Sequence, residues 1–220
     1  MKNSNMHFKM TTPPLRIVGS LLCALLVSLA ALTARAQTAT VIEPPHDVFY
    51  SNGEGNEAPA FLEILAASFT VSDPMTLTVD VAGSLDALPN PPGANGAFFW
   101  HFALNTDNST DPPGFPLPPG KTAAAEFGVD AFWDGTAFGG QLYDRRPALT
   151  GQPALLYSIP VSVSGSRITL TVPAALAAQI RAAVVLPGAT WNCLTLRANR
   201  NGGDDGTHGA DAIGRHPWPQ

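Results

Sequence analysis

The sequence predicts an all-β protein, an antiparallel β-sandwich of jelly-roll or Ig-like layout with one short helix near residues 173–183, preceded by an export signal. Three observations carry this: short segments that alternate apolar and polar residues, Gly, Pro, Asn and Asp clusters between them, and almost no helical periodicity. In Met75 to Val81 the apolar set is Leu77, Val79 and Val81, with Thr76, Thr78 and Asp80 on the wet face. Ile168, Leu170 and Val172 repeat the pattern against Arg167, Thr169 and Thr171.

The first 36 residues are set apart from the fold. Lys2, Lys9 and Arg16 precede an uncharged apolar run from Ile17 to Ala34, which closes on Ala34-Arg35-Ala36. A basic start, an apolar stretch and small residues at a cleavage point make a secretory signal peptide cut before Gln37; an uncleaved anchor is the alternative. Cleavage leaves a β-sandwich domain over residues 37–200 and a Gly/Asp-rich tail over 201–220. No second apolar span follows, so no membrane insertion is expected after cleavage, and the compartment is secreted or periplasmic.

The remaining 184 residues hold eight basic against 17 acidic residues, a net charge of −9. That balance disfavours nucleic acid and anionic membranes as partners and suits divalent cations. Cys193 is the one cysteine left, so no intrachain disulfide is expected, and it reads as a small buried core residue. A chain of this length can bury its own core as one domain.

Taken in order, strands are expected over Phe61 to Val71, Met75 to Val81, Phe98 to Leu104, Ala124 to Trp133, Ala137 to Tyr143, Leu156 to Val163, Ile168 to Val172 and Thr190 to Arg197. Asp134-Gly135 has the chemistry of a tight hairpin, because both residues tolerate positive φ, and Ser164-Gly165 makes a second. Pro173 followed by the alanine-rich stretch from Ala174 to Ala183 supplies the helix, since proline pre-sets φ at a first helical position. Pro112 to Gly120 is too rich in proline for a sheet interior and reads as a stiff surface loop. Residues 201–220 lack apolar periodicity and read as an ordered-to-flexible tail.

The strongest chemical signal follows the aromatic strand. Asn105, Asp107, Ser109 and Asp111 fall at every second position, so alternate side chains can point at one centre. Calcium takes six to eight oxygen ligands from carboxylates, amides, carbonyls and water, which suits this composition. It is not an EF-hand loop: Thr110 stands at the glycine position and Pro116 at the bidentate glutamate. A turn rich in Asn and Asp that satisfies only its own backbone is the competing reading. Glu126 favours the metal, because antiparallel pairing of strands 98–104 and 124–133 would bring it beside the loop. The expected metal ligands are therefore Asn105, Asp107, Asp111 and Glu126.

Leu104-Asn105-Thr106-Asp107-Asn108 and the later Ala125-Glu126-Phe127 resemble secreted bacterial β-sandwich domains akin to DOMON and family-nine carbohydrate-binding modules. In those domains a strand ends in Asp-Thr-Asp-x-Asn-x-x-Thr-Gly and is followed by Gly-x-Asp-Tyr. Phe61 to Ala67, Leu77 to Val81 and Ile168 to Pro173 fit the same layout, so the likeness covers most of residues 45 to 200. This chain departs from it at Asn105 and Glu126, each in place of aspartate, and where Asp111-Pro112-Pro113-Gly114 interrupts the Thr-Gly. The resemblance implies a non-catalytic extracellular module with calcium as a structural ion and a polysaccharide or another small extracellular ligand as cargo. Haem, which some such domains hold, would need axial ligands such as Met75 and His101.

Parity divides the aromatic residues. Phe98, Trp100, Phe102 and Leu104 share one strand face, as do Phe127, Val129, Ala131 and Trp133, and these are expected in the core. The opposite parity carries Phe99, His101, Asp130 and Phe132, a candidate ligand surface if outward and ordinary packing if covered. Tyr143 and Trp218 are weaker candidates of the same kind. Gly202 to Gly206 with Asp211 could hold a second cation, although a solvated tail is the favoured reading.

No His-Glu-x-x-His, Gly-x-Ser-x-Gly, Walker or Gly-x-Gly-x-x-Gly motif occurs. Glu126 and Asp130 are the pair that a glycoside hydrolase-like mechanism would use. The expected function is thus a calcium-stabilised binding or structural module, with a carbohydrate-binding module and then a hydrolase as alternatives.

Overall fold

A computed structural model describes residues 37–44, 57–93, 95–109, 116–117, 121–122, 125–199 and 208–220. The expected signal peptide lies outside the described residues, as does Asp111. Two antiparallel sheets face one another across a single apolar core, as the alternation predicts.

The first sheet contains β1 (Thr38–Ile42), β2 (Ile64–Thr70), β3 (Met75–Val81), β10 (Val161–Ser164) and β11 (Arg167–Val172), in the order β1-β2-β3-β11-β10. The second contains β4 (Gly96–Asn105), β7 (Phe127–Trp133), β8 (Phe138–Asp144), β9 (Leu155–Ser158), β12 (Thr190–Asn199) and β13 (His208–Pro217), in the order β13-β12-β4-β7-β8-β9. Between β4 and β7, β5 (Pro116–Leu117) and β6 (Lys121–Thr122) form a separate two-residue ladder outside both sheets, and the rest of the Pro-rich segment lies outside the described residues. The chain passes between sheets from β3 to β4, from β9 to β10, and from β11 through helix α1 (Ala174–Ala183) to β12. No helix among the described residues is long and apolar enough to cross a membrane.

The period-two reading succeeds where a strand has one wet face. In β3 burial alternates along the whole strand, and Leu77, Val79 and Val81 sit in the core with Ile168, Leu170 and Val172. Asp80 and Arg167, opposite each other across β3 and β11, form a paired-donor ion contact on the wet face at 2.6 and 2.8 Å. Phe98, Trp100, Phe102, Leu104, Phe127, Val129 and Ala131 are buried between the sheets as parity predicts, with Trp133 packed at their margin.

Several boundaries differ from the sequence reading for identifiable reasons. Residues Ala60–Leu62 form a 3₁₀ turn, and β2 begins only at Ile64. The expected strand from Leu156 to Val163 is two strands in different sheets, because Pro160 has no N–H for a ladder and the chain crosses over there. The β7–β8 hairpin pairs Trp133 with Phe138, so its loop has four residues rather than two. There Asp134 Oδ1 accepts from the backbone of Thr136 and Ala137, while Gly135 takes φ +94°. Ser164 pairs with Arg167, which leaves the two-residue turn expected at Gly165, with φ +61°. Pro173 is the N-cap of α1 and not its first residue.

The largest correction concerns the expected tail. His208–Pro217 is the edge strand of the second sheet, and Trp218 after it is buried, 4.9 Å edge-on from Phe69. Two register shifts against β12 break its alternation, so a strand rich in Gly and polar residues gave no period-two signal.

Candidate functional site

Two groups of predicted residues meet on the second sheet: one at the end of β4, the other on the sheet face turned away from the core.

At the end of β4 the chain turns sharply, with Asn108 at φ +63°, a conformation that Asn adopts more readily than most residues. Asn105 shapes this turn. Its Oδ1 accepts the backbone N–H of Asp107 at 3.3 Å and of Asn108 at 2.6 Å, while its Nδ2 donates to the Ser109 carbonyl at 2.9 Å. Asp107 is exposed and its Oδ1 accepts from the Ser109 N–H at 2.8 Å. Glu126, just before β7, is buried beside them. Its Oε2 accepts from both the backbone N–H of Thr106, at 2.5 Å, and the Thr106 hydroxyl, at 3.1 Å. Pairing of β4 with β7 brings these elements together, as the sequence predicts: Leu104 lies opposite Phe127.

The other carboxylate oxygen of Glu126, Oε1, is buried and has no hydrogen-bond partner among the described residues. Burial pushes the Glu126 carboxyl above the ordinary glutamate range, and the negative charge of Asp107 pushes the same way against the Thr106 hydrogen bonds. Arg145 stands on the opposite side of the balance. Its backbone N–H donates to the Glu126 carbonyl at 2.8 Å. Burial lowers its guanidinium pKa, and the charge of Glu126 offsets part of that. Of the predicted metal set, the structure thus gathers Asn105, Asp107 and Glu126, with Asn105 engaged as a turn cap. Among the described residues no group of three or more His, Cys, Asp or Glu side chains could hold a metal ion.

On the outer face of the sheet, Phe99 lies opposite Phe132 and His101 opposite Asp130. Their side chains do meet. The Phe99 and Phe132 ring centroids are 6.0 Å apart, and His101 Nδ1 contacts Asp130 Oδ1 in a short hydrogen bond. The second oxygen of Asp130 accepts from Gln141 Nε2 at 3.0 Å, and the same nitrogen reaches the Tyr143 hydroxyl at 2.7 Å. Sequence reasoning missed Gln141. Its signal was present, since Gln141 and Tyr143 sit two apart on one face of β8 and oppose Asp130 and Gly128.

An open aromatic platform is not what forms here. Phe99 is buried with Ala97, Leu194 and Leu196 in a small second cluster, and His101 is also buried; Phe132 is the half-exposed member. Met75 lies in the core between the sheets, whereas His101 is on the far side of the second sheet, so the two do not form an axial pair. Glu126 and Asp130 are likewise committed to different partners, Thr106 and the His101–Gln141 pair. Cys193 is fully buried, and burial raises its thiol pKa well above the usual value. Asp211, read as part of a tail site, instead accepts the Ile64 N–H at 2.6 Å.

Comparison with known proteins finds no matching family model, no matching curated protein and no matching solved structure.

Proposed function

We propose that this chain is an exported, non-catalytic binding or structural module whose turn at residues 105–109 is completed by a hard divalent cation, calcium by its oxygen chemistry. The observation that carries the reading is the buried Glu126 Oε1, which accepts no hydrogen bond from the described residues while its partner oxygen accepts two from Thr106. A buried carboxylate oxygen without a donor is costly, and a cation held between it and Asp107 removes that cost. In this reading Asp107 and Glu126 are ligands and Asn105 holds the turn in shape. The likeness to DOMON and family-nine carbohydrate-binding modules accords with such a role. So does the acidic balance of the chain after residue 36, and the apolar run from Ile17 to Ala34 supports secretion or a periplasmic location.

Thermal melts of the purified chain with added calcium and with chelator test this. Calcium raises the midpoint in wild type, and Asp107→Ala abolishes the rise. A wild-type midpoint indifferent to calcium and chelator would remove the metal from the proposal.

A further inference from the structure

A second feature, at the edge of the second sheet, lies apart from the turn at 105–109. Where β8 runs on past the end of the edge strand β9 is a hollow of about 430 Å³, lined by Phe132, Gly139, Gln141, Leu156 and Ser158 of the second sheet and by Val161 of β10 in the first. That volume falls within the range of small-molecule sites, which run from roughly 300 to 1,000 Å³.

Its construction follows from the two glycines of β8. The Phe132 ring lies directly across Gly139, close enough that a Cβ there would meet the ring tip at 2.2 Å. At Gly140 a Cβ would stand 2.5 Å from the Ile159 carbonyl, which lies where the chain leaves β9. The missing side chains thus let an aromatic ring and the edge of the sheet close on the strand. Leu156, 59% exposed, supplies an apolar wall in contact with solvent.

The polar groups are few and arranged. Gln141 uses its amide nitrogen on Asp130 and Tyr143, so the carbonyl oxygen is the group it offers to the hollow. Ser158, opposite Gln141 across β8 and β9, adds a hydroxyl. Among the described residues no charged side chain lines the hollow.

We propose that this hollow binds a neutral, hydroxylated ring with one apolar face, which stacks against Phe132 and Leu156 while a ring hydroxyl donates to Gln141 Oε1. A charged ligand would find no counter-ion there, and a purely aliphatic one would leave the pinned glutamine carbonyl unpaired. Sugars and phenols share this chemistry. The proposal rests on the reading of the chain as a binding module and gives that module its ligand class.

The test is titration of the ¹⁵N-labelled chain with cellobiose and, separately, with phenol, following the Gly139 and Gly140 amide resonances. Saturable shifts with one probe identify the source of the ring. Gln141→Leu and Leu156→Lys are expected to weaken binding roughly tenfold each, the equivalent of one lost hydrogen bond or apolar contact. Leu156 is exposed, so its replacement leaves the fold in place even if Gln141→Leu does not. Absence of shifts with both probes into the tens of millimolar, or unchanged affinity in Leu156→Lys, overturns the proposal. Either result leaves the calcium melts unaffected, so the two readings fail separately.

Discussion

The indole nitrogen of Trp100, in the middle of β4, donates to the backbone carbonyl of Phe61 at 3.0 Å and so ties the second sheet to the corner that leads into β2 of the first. Two further bonds secure the same corner: the Thr195 hydroxyl of β12 donates to the Leu62 carbonyl, and Asp211 of β13 accepts the Ile64 N–H. Three adjacent strands of one sheet thereby satisfy successive backbone groups where the chain turns into the other.

Thr195→Val keeps the shape of the side chain but removes the donor to Leu62, leaving a buried carbonyl without its hydroxyl partner. The expected loss is about 1–3 kcal/mol of unfolding free energy, measured by denaturant titration with an unchanged m value. Thr171→Val, on the half-buried face of β11, is the control and should change stability by less than about 0.5 kcal/mol.

His101 and Asp130 form a buried contact, so their substitutions should not add. A double-mutant cycle with His101→Phe and Asp130→Asn is expected to give a coupling of about 1 kcal/mol or more, read from chemical denaturation. Additivity within a few tenths of a kcal/mol would mean that the contact contributes nothing to the fold.

Glu126 gives a pH signature. Its folded pKa is raised by burial and by Asp107, so the folded chain holds this proton more tightly than the unfolded one. Its contribution is present below the ordinary glutamate pKa and lost as pH rises through the raised value. Without calcium, stability is expected to fall across that window in wild type, and Glu126→Gln should flatten the fall. Melting midpoints measured from pH 4 to pH 7 on both chains decide the matter, ~4 being near the ordinary glutamate value.

The glycines of β8 should differ in cost. Gly139→Ala meets the tip of the half-exposed Phe132 ring, which can swing aside, whereas Gly140→Ala meets the Ile159 backbone. That backbone is held by the Ile159 N–H donating to Gly140 at 2.9 Å, so it has little room to move. Gly140→Ala is therefore expected to destabilise by about 1–3 kcal/mol and Gly139→Ala by less, compared by thermal melts.

The sheets, their inward residues and the pairing of β4 with β7 were legible because one wet face imposes period two on a strand, and β3 and β11 show this most clearly. The turn at 105–109 was legible because Asn and Asp bond to backbone within two or three residues, a purely local property. Less of the outer-face site could be read. Parity put Phe99, His101, Asp130 and Phe132 on one face, but whether that face is covered depends on segments distant in sequence. Residues 208–217 escaped altogether, since their strand exists only through pairing with β12, and its bulges erase the periodicity.

Local chemistry written along the chain therefore determined which side chains face inward and where the backbone turns, since both follow from strand geometry and short-range hydrogen bonding. Only the tertiary structure decided that Glu126 keeps a buried oxygen without a donor, that Gln141 is pinned by Asp130 and Tyr143, and that Phe132 lies across Gly139. Each depends on how neighbouring strands and turns pack against one another, and no spacing within a single strand encodes that packing.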